Sequence, residues 1–196
     1  IPWNHYMAFG SIHVLEQQYE SMKGWVDYMV AQSKDRGWLW NNGSHYGDWL
    51  FYSLANDPGG QSAVTSSHLV AQCFFANSAD IVSRTAELLG KPEEAAHYTE
   101  VAKNVRKAYM DEYVTPNGLV SSDTQTAYVL ALQFRMLPEH LRAQAVDRLV
   151  ENIKRYGNHI TTGFLGTSYI CNVLTEFGRS DMAYKLLLQE TCPSWI

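Results

Sequence analysis

The stretch richest in chemistry is Gly37-Trp38-Leu39-Trp40-Asn41-Asn42-Gly43-Ser44-His45-Tyr46-Gly47-Asp48-Trp49-Leu50, with four aromatic residues, two Asn, one His and one Asp. Flat rings beside amides and carboxylates suit a sugar. A ring takes the apolar face of a pyranose, and the polar groups fix its hydroxyls. Trp40, Tyr46, Asp48 and Trp49 are the candidate binding residues here, and Asp48 with Trp49 is the favoured pair. For Trp38 and Trp40 the other reading is a plug at the rim of the core.

Two further stretches carry polar side chains. Thr115-Pro116-Asn117-Gly118-Leu119-Val120-Ser121-Ser122-Asp123 contains a Pro-Asn-Gly turn, and Asp123 reads as the N-cap of the helix that follows. Gln125 and Tyr128, in the first turns of that helix, are candidates to point into a pocket. Asn158-His159-Ile160-Thr161-Thr162-Gly163-Phe164-Leu165-Gly166-Thr167 places two Gly and three Thr at a helix start. Glycine lets backbone approach a ligand closely. His159 reads as a base or a pocket-lining residue, against the plainer reading of a structural histidine.

Other chemistries lack their signatures. No GxGxxG or GxxxxGK[ST] phosphate loop is present, and no GxSxG elbow marks a nucleophilic serine. His13, His68, His97 and His140 are scattered, without HxxxH or HExxH, so neither a metal nor another cofactor is expected. The three cysteines (Cys73, Cys171, Cys192) are widely spaced and read as thiols rather than a disulfide framework. Arg142, Asp147, Arg148, Glu151, Lys154 and Arg155 read as a solvated helix face.

The 196 residues suffice for one ordinary domain, and 46% hydrophobic against 18% charged residues describes a globular chain. A net charge of -5 argues against nucleic acid or an anionic membrane as partner. No apolar run approaches the roughly 18 residues of a membrane span. The chain opens on Ile1-Pro2-Trp3 without an initiator Met and stops on Pro193-Ser194-Trp195-Ile196. It reads as an internal piece of a longer protein, so its localisation is not legible.

Helical periodicity positions the three stretches. Ile12, Leu15, Tyr19, Met22, Trp25, Val26 and Met29 recur at three- and four-residue steps and predict a stripe over 12–33. Thr65-Ser66-Ser67 opens a helix that Gly90 ends, and Pro92-Glu93-Glu94 starts the next, to about Tyr113. Further helices are expected from Asp123 to Leu137, from Glu139 to about Tyr156, over 166–177 and over 181–190. The fold class is all-α. Gly10, Gly90, Pro138 and Gly178 mark tight helix-to-helix joints. Residues 34–64, 114–122 and 157–165 are the long connections. Strict alternation of short and long joints predicts one working face built from the long loops. A helical-repeat binding module of the tetratricopeptide kind is the reading from another class, and the unequal spacing of the four joints weighs against it.

The motifs resemble a known family. They are Gln18-Tyr19-Glu20-Ser21-Met22-Lys23-Gly24-Trp25-Val26-Asp27-Tyr28, Tyr46-Gly47-Asp48-Trp49-Leu50, Thr162-Gly163-Phe164-Leu165-Gly166-Thr167, and Tyr184-Lys185-Leu186-Leu187-Leu188-Gln189-Glu190 with Pro193-Ser194-Trp195. Their order and spacing resemble the bacterial α-L-rhamnosidases of glycoside hydrolase family 78, across essentially the whole chain. The resemblance implies an (α/α)6 toroid of alternating inner and outer helices, incomplete here, with residues 1–196 forming part of the catalytic domain. It implies an inverting hydrolase releasing L-rhamnose, whose general acid and base stand roughly 6.5–9.5 Å apart. Both catalytic carboxylates lie, in the family, in segments before and after this chain, so no catalytic residue is assigned. Trp49 matches an aromatic that lines the sugar subsite. The implied partners are a rhamnose-containing glycoside and the remaining domains of the same polypeptide. Another (α/α)6 glycosidase, glucoamylase-like or trehalase-like, is the near alternative.

Overall fold

Glycine and proline punctuate this chain, and helices form between them. A computed structural model describes residues 1–52 and 63–196. Part of the predicted connection 34–64 therefore lies outside the described residues. No strand occurs among the described residues; Val114 and Val120 form an isolated bridge across the Pro-Asn-Gly turn. The fold is all-α, as the periodicity predicts. No helix among the described residues is long and apolar enough to cross a membrane. The chain groups into two units, Ile1–Asn42 with Phe74–Ala108, and Gly43–Cys73 with Tyr109–Ile196.

The first unit contains α1 (Pro2–Phe9), α2 (His13–Ser33), most of α3 (Ser67–Leu88) and most of α4 (Pro92–Tyr113). Leu15, Tyr19, Val26 and Met29 form the buried stripe of α2. Trp25 departs from the predicted stripe: it is exposed and stacks on Tyr28, with ring centroids 5.7 Å apart. Gly90 ends the α3 region in the left-handed conformation at φ 69°, which an L side chain resists, and the Lys91 N–H reaches back to the Ala86 carbonyl at 2.9 Å. Small buried residues then let α3 and α4 approach: Ala76, Ala79 and Ala86 on one, Ala95 and Ala102 on the other. Ser83 donates to the Ala95 carbonyl at 2.8 Å and so ties the pair. The Tyr98 hydroxyl donates to Asp27 on α2 at 2.6 Å.

The second unit is organised around α5 (Gln125–Gln133), in which every residue from Gln125 to Leu132 is buried. A helix apolar on all sides belongs at the centre of its unit. It packs against α6 (Glu139–Arg155), α7 (Phe164–Thr167) and α8 (Ile170–Glu176). α8 in turn pairs with α9 (Ser180–Leu187), burying Ile170, Val173 and Leu174 against Met182, Ala183 and Leu186. Four boundaries differ from the sequence reading, one being that α9 stops at Leu187 rather than at 190. Thr124, not Asp123, caps α5, accepting from the Ala127 N–H at 3.2 Å. Asp123 instead sits at φ 45° and accepts the Tyr128 hydroxyl at 2.6 Å. α5 stops at Gln133 rather than Leu137, because Arg135 turns left-handed and the Met136 N–H returns to the Ala131 carbonyl at 2.9 Å. The helix predicted over 166–177 is two pieces, α7 and α8.

One ion cluster makes the first unit sensitive to acid. Glu94 accepts from Lys23 at 3.0 Å and from the Tyr19 hydroxyl at 3.1 Å, with Lys91 at 3.5 Å. The hydrogen bond from Lys23, aided by Tyr19, holds the Glu94 carboxyl below the usual carboxylate range. A carboxyl lowered by folding stabilises the protein above its unfolded value of about 4.3, and that contribution is lost as pH falls through the lower folded value. Glu94→Gln should therefore lower Tm at neutral pH and leave it near wild type in strong acid. Thermal scans across that range check this; an equal loss at both ends would contradict it.

Candidate functional site

Asp48 and the two glycines of the 158–167 stretch build the site. Gly47 brings the chain against Ser67, whose Cβ lies 3.2 Å from where a Gly47 side chain would begin. The next residue, Asp48, is buried at 6% exposure. Its Oδ2 accepts from the Gly163 N–H at 2.7 Å and from the Thr126 hydroxyl. Its Oδ1 accepts from the Leu165 N–H at 2.8 Å and the Gly166 N–H at 3.2 Å. Leu165 and Gly166 are the second and third residues of α7, so the carboxylate satisfies backbone donors that the helix itself leaves open.

The main chain reinforces this clamp. The Phe164 N–H donates to the Trp49 carbonyl at 3.0 Å, and the Tyr52 N–H to the Thr161 carbonyl at 3.3 Å. The contact is too close for any side chain on Gly163, where a Cβ would stand 2.6 Å from the Asp48 carbonyl oxygen and closer still to that of Trp49. At Gly166 a Cβ would stand 2.7 Å from a Thr162 methyl and closer to the Thr126 hydroxyl. Glycine is required here for space.

The clamp holds two rings at the surface. Trp49 is 63% exposed and meets Phe164, 59% exposed, edge to face, with centroids 6.3 Å apart. Beside Phe164 lies an open depression of about 560 Å³ whose lining includes Tyr52, Thr162, Thr167, Ser168 and Trp195. None of its lining residues is charged among those described. Rings and hydroxyls without charge suit a neutral, polyhydroxylated ligand.

Gln125 and His159 brace the loop and the C-terminal residues that line the depression. The Gln125 amide donates to the His159 carbonyl and accepts from the Thr161 N–H, both at 3.0 Å, which fixes the loop that leads to Gly163. His159 Nδ1 lies 3.1 Å from the Pro193 carbonyl oxygen. A carbonyl only accepts, so Nδ1 carries the proton. Nε2 faces the Thr191 hydroxyl at 3.4 Å. The ring thus fastens residues 191–193, and with them the approach to Trp195, onto the loop.

Of the sequence candidates, the structure places Asp48 and Trp49 on one loop and ties His159 to Pro193, which lines the depression. Tyr46 belongs to the same unit and is 98% exposed. Trp40 belongs to the other unit, where it meets Trp25 and Phe75 edge-on with centroids at 5.7 and 6.3 Å. Tyr128 turns to Asp123 rather than to the depression. Sequence reasoning did not single out Phe164, Thr126 or Trp195. Phe164 carried a usable signal, an aromatic flanked by glycine in a polar loop.

The family model of the bacterial α-L-rhamnosidase six-hairpin glycosidase domain matches residues 1–196. An α-L-rhamnosidase of Formosa agariphila is 42% identical over 197 residues, taking in 100% of this chain and 21% of the relative. One from Streptomyces avermitilis is 40% identical over 195 residues, covering 100% of this chain and 18% of the relative. The crystal structure of the S. avermitilis α-L-rhamnosidase complexed with L-rhamnose aligns with a TM-score of 0.89 at 41% identity, over 99% of this chain and 18% of that one. Native α-L-rhamnosidase from Aspergillus terreus aligns with a TM-score of 0.89 at 34% identity, over 99% and 22%. The chain spans about a fifth of the length of the curated relatives it matches.

The glycine contacts lead to a ranking. Gly163→Ala should cost about 3 kcal/mol, the upper end for overpacking, because both offending atoms are backbone. Gly178→Ala, which meets nothing within 4 Å at φ 76°, should cost only the backbone strain, about 1 kcal/mol. Urea unfolding midpoints of the two variants decide this, and the reverse order would mean that the clamp can open without penalty.

Proposed function

The chain belongs to the bacterial α-L-rhamnosidase six-hairpin glycosidase domain family, and on that premise we propose that it is a sugar-binding segment of an enzyme that releases L-rhamnose from α-L-rhamnosides. On this reading residues 1–196 are part of one catalytic domain, completed by the rest of the polypeptide. The observation that carries the reading is Trp49: an exposed ring on a backbone locked from behind, edge to face with Phe164, which lines a depression with no charged residue among those described. L-rhamnose is a 6-deoxy sugar, so its methyl and ring C–H groups offer a larger apolar face than an ordinary hexose. A tryptophan face takes such a surface well.

Division of labour follows from the chemistry. Inverting hydrolysis needs a carboxylic acid to protonate the leaving oxygen and a carboxylate to activate water on the opposite face, roughly 6.5–9.5 Å away. Asp48 is unsuited to either task, because four protein donors already occupy its oxygens. His159 Nδ1 is engaged with a carbonyl. This chain's part is to bind and orient: Trp49 against the sugar ring, the Thr and Ser hydroxyls of the depression toward its polar edge. The acid and the base come from neighbouring segments of the same polypeptide, as the family resemblance implies.

The test is release of L-rhamnose from an aryl α-L-rhamnoside by the full-length protein, beside the matching α-glucoside and α-mannoside. Activity on the rhamnoside alone is expected. Turnover of only another sugar would keep the fold and replace the substrate. No turnover would favour a binding module. Trp49→Ala in that protein should weaken L-rhamnose affinity about tenfold, on the order of 1–2 kcal/mol. Its Tm should stay near wild type, since the ring is exposed. Residues 1–196 alone should release no rhamnose above a buffer blank.

A further inference from the structure

We infer that Asp48 is a positioning residue for the sugar platform: it sets the spacing of Trp49 and Phe164 and governs sugar affinity through Trp49, without touching the ligand. This rests on the reading of Trp49 as a sugar-binding ring.

An ionised carboxylate has about four acceptor directions. Two at Oδ1 are filled by the Leu165 and Gly166 N–H groups, and two at Oδ2 by the Gly163 N–H and the Thr126 hydroxyl. A sugar hydroxyl would have to displace a donor and leave it buried without a partner, which is costly. Asp48 therefore acts on what it holds. Both rings of the platform hang from it. Trp49 is the next residue in the chain. Phe164 stands between two of the N–H groups that Asp48 accepts, those of Gly163 and Leu165, and its own N–H bonds the Trp49 carbonyl at 3.0 Å. Exposed rings have little side-chain packing to define them, so the backbone beneath must do it. With Gly163 in backbone contact with residues 48 and 49, a change at the carboxylate moves both rings together.

The test is a double-mutant cycle in the full-length protein. Asp48→Asn replaces one acceptor oxygen with an NH2 group that faces donors, so the clamp must open. Calorimetry gives the L-rhamnose Kd, and turnover of an aryl α-L-rhamnoside gives kcat and KM. Asp48→Asn should weaken L-rhamnose binding about as much as Trp49→Ala, roughly tenfold, and the double variant should bind no worse than either single one within about twofold, since the two act as one unit. KM should rise more than kcat falls. Thr126→Val removes one donor of the four, and should weaken binding about two- to threefold in the native background and not at all beside Trp49→Ala. It carries the test should Asp48→Asn fail to fold. Full additivity of either variant with Trp49→Ala would overturn the inference, as would unchanged affinity in a folded Asp48→Asn. If Trp49→Ala itself left affinity unchanged, the reading of Trp49 would fail and the inference would fall with it. A Trp49→Ala loss with additivity would sink the inference alone.

Discussion

One buried carboxylate joins parts of the chain that are far apart in sequence. Asp48 reaches Thr126, 78 residues on, and the N–H groups of Gly163, Leu165 and Gly166, 115 to 118 residues on. A buried charge without partners is prohibitively unfavourable, so its place depends on the donors that surround it. Hydrogen bonds to a charged group contribute about 1.5–3 kcal/mol each, roughly twice the neutral kind. The two loops therefore close as a unit, and the short α7 forms where the carboxylate receives its first N–H groups.

That constraint explains the residue types around it. Gly163 and Gly166 are required because backbone and side chains already fill the space a Cβ would take. Thr126 serves as a donor from α5, buried from Gln125 to Leu132, so the helix at the centre of the unit also anchors its surface loop. Gln125, one residue earlier, spans the backbone from His159 to Thr161 with both ends of its amide. Adjacent polar residues on a buried helix thus hold the approach to Gly163 and its exit.

The hairpins were legible in the sequence because their signals are local. Gly90 and Gly178 end helices where the chain turns left-handed, and Pro92 and the acids after it start the next one. Boundaries went astray where two residues competed for one role. Asp123 and Thr124 are both good caps, and only the hydrogen bond from Tyr128 shows that Asp123 is taken elsewhere. The end of α5 was hidden because Arg135 rather than glycine makes the left-handed turn. At the candidate site, composition singled out two loops that the structure joins, and within them Asp48 with Trp49. It did not show what Asp48 binds, because three of its four donors are backbone N–H groups, which every residue but proline possesses. Nor does composition say which ring of an aromatic-rich loop faces which way: Trp40 and Trp49, nine positions apart, lie in different units.

The arrangement separates the group that sees solvent from the group that fixes it. An exposed ring is a poor anchor unless its backbone is ordered beforehand, since ordering it on binding would cost part of the affinity gained. A carboxylate with spare lone pairs could serve both as anchor and as ligand partner, but each ligand would then compete with the fold for the same atoms. By saturating Asp48 with protein donors, the molecule removes that competition. What is left exposed is the side chains of Trp49 and Phe164, with the depression that Phe164 lines. Side chains lining the depression can therefore change without the backbone beneath being rebuilt, whereas Asp48, Gly163 and Gly166 are fixed by the contacts they make.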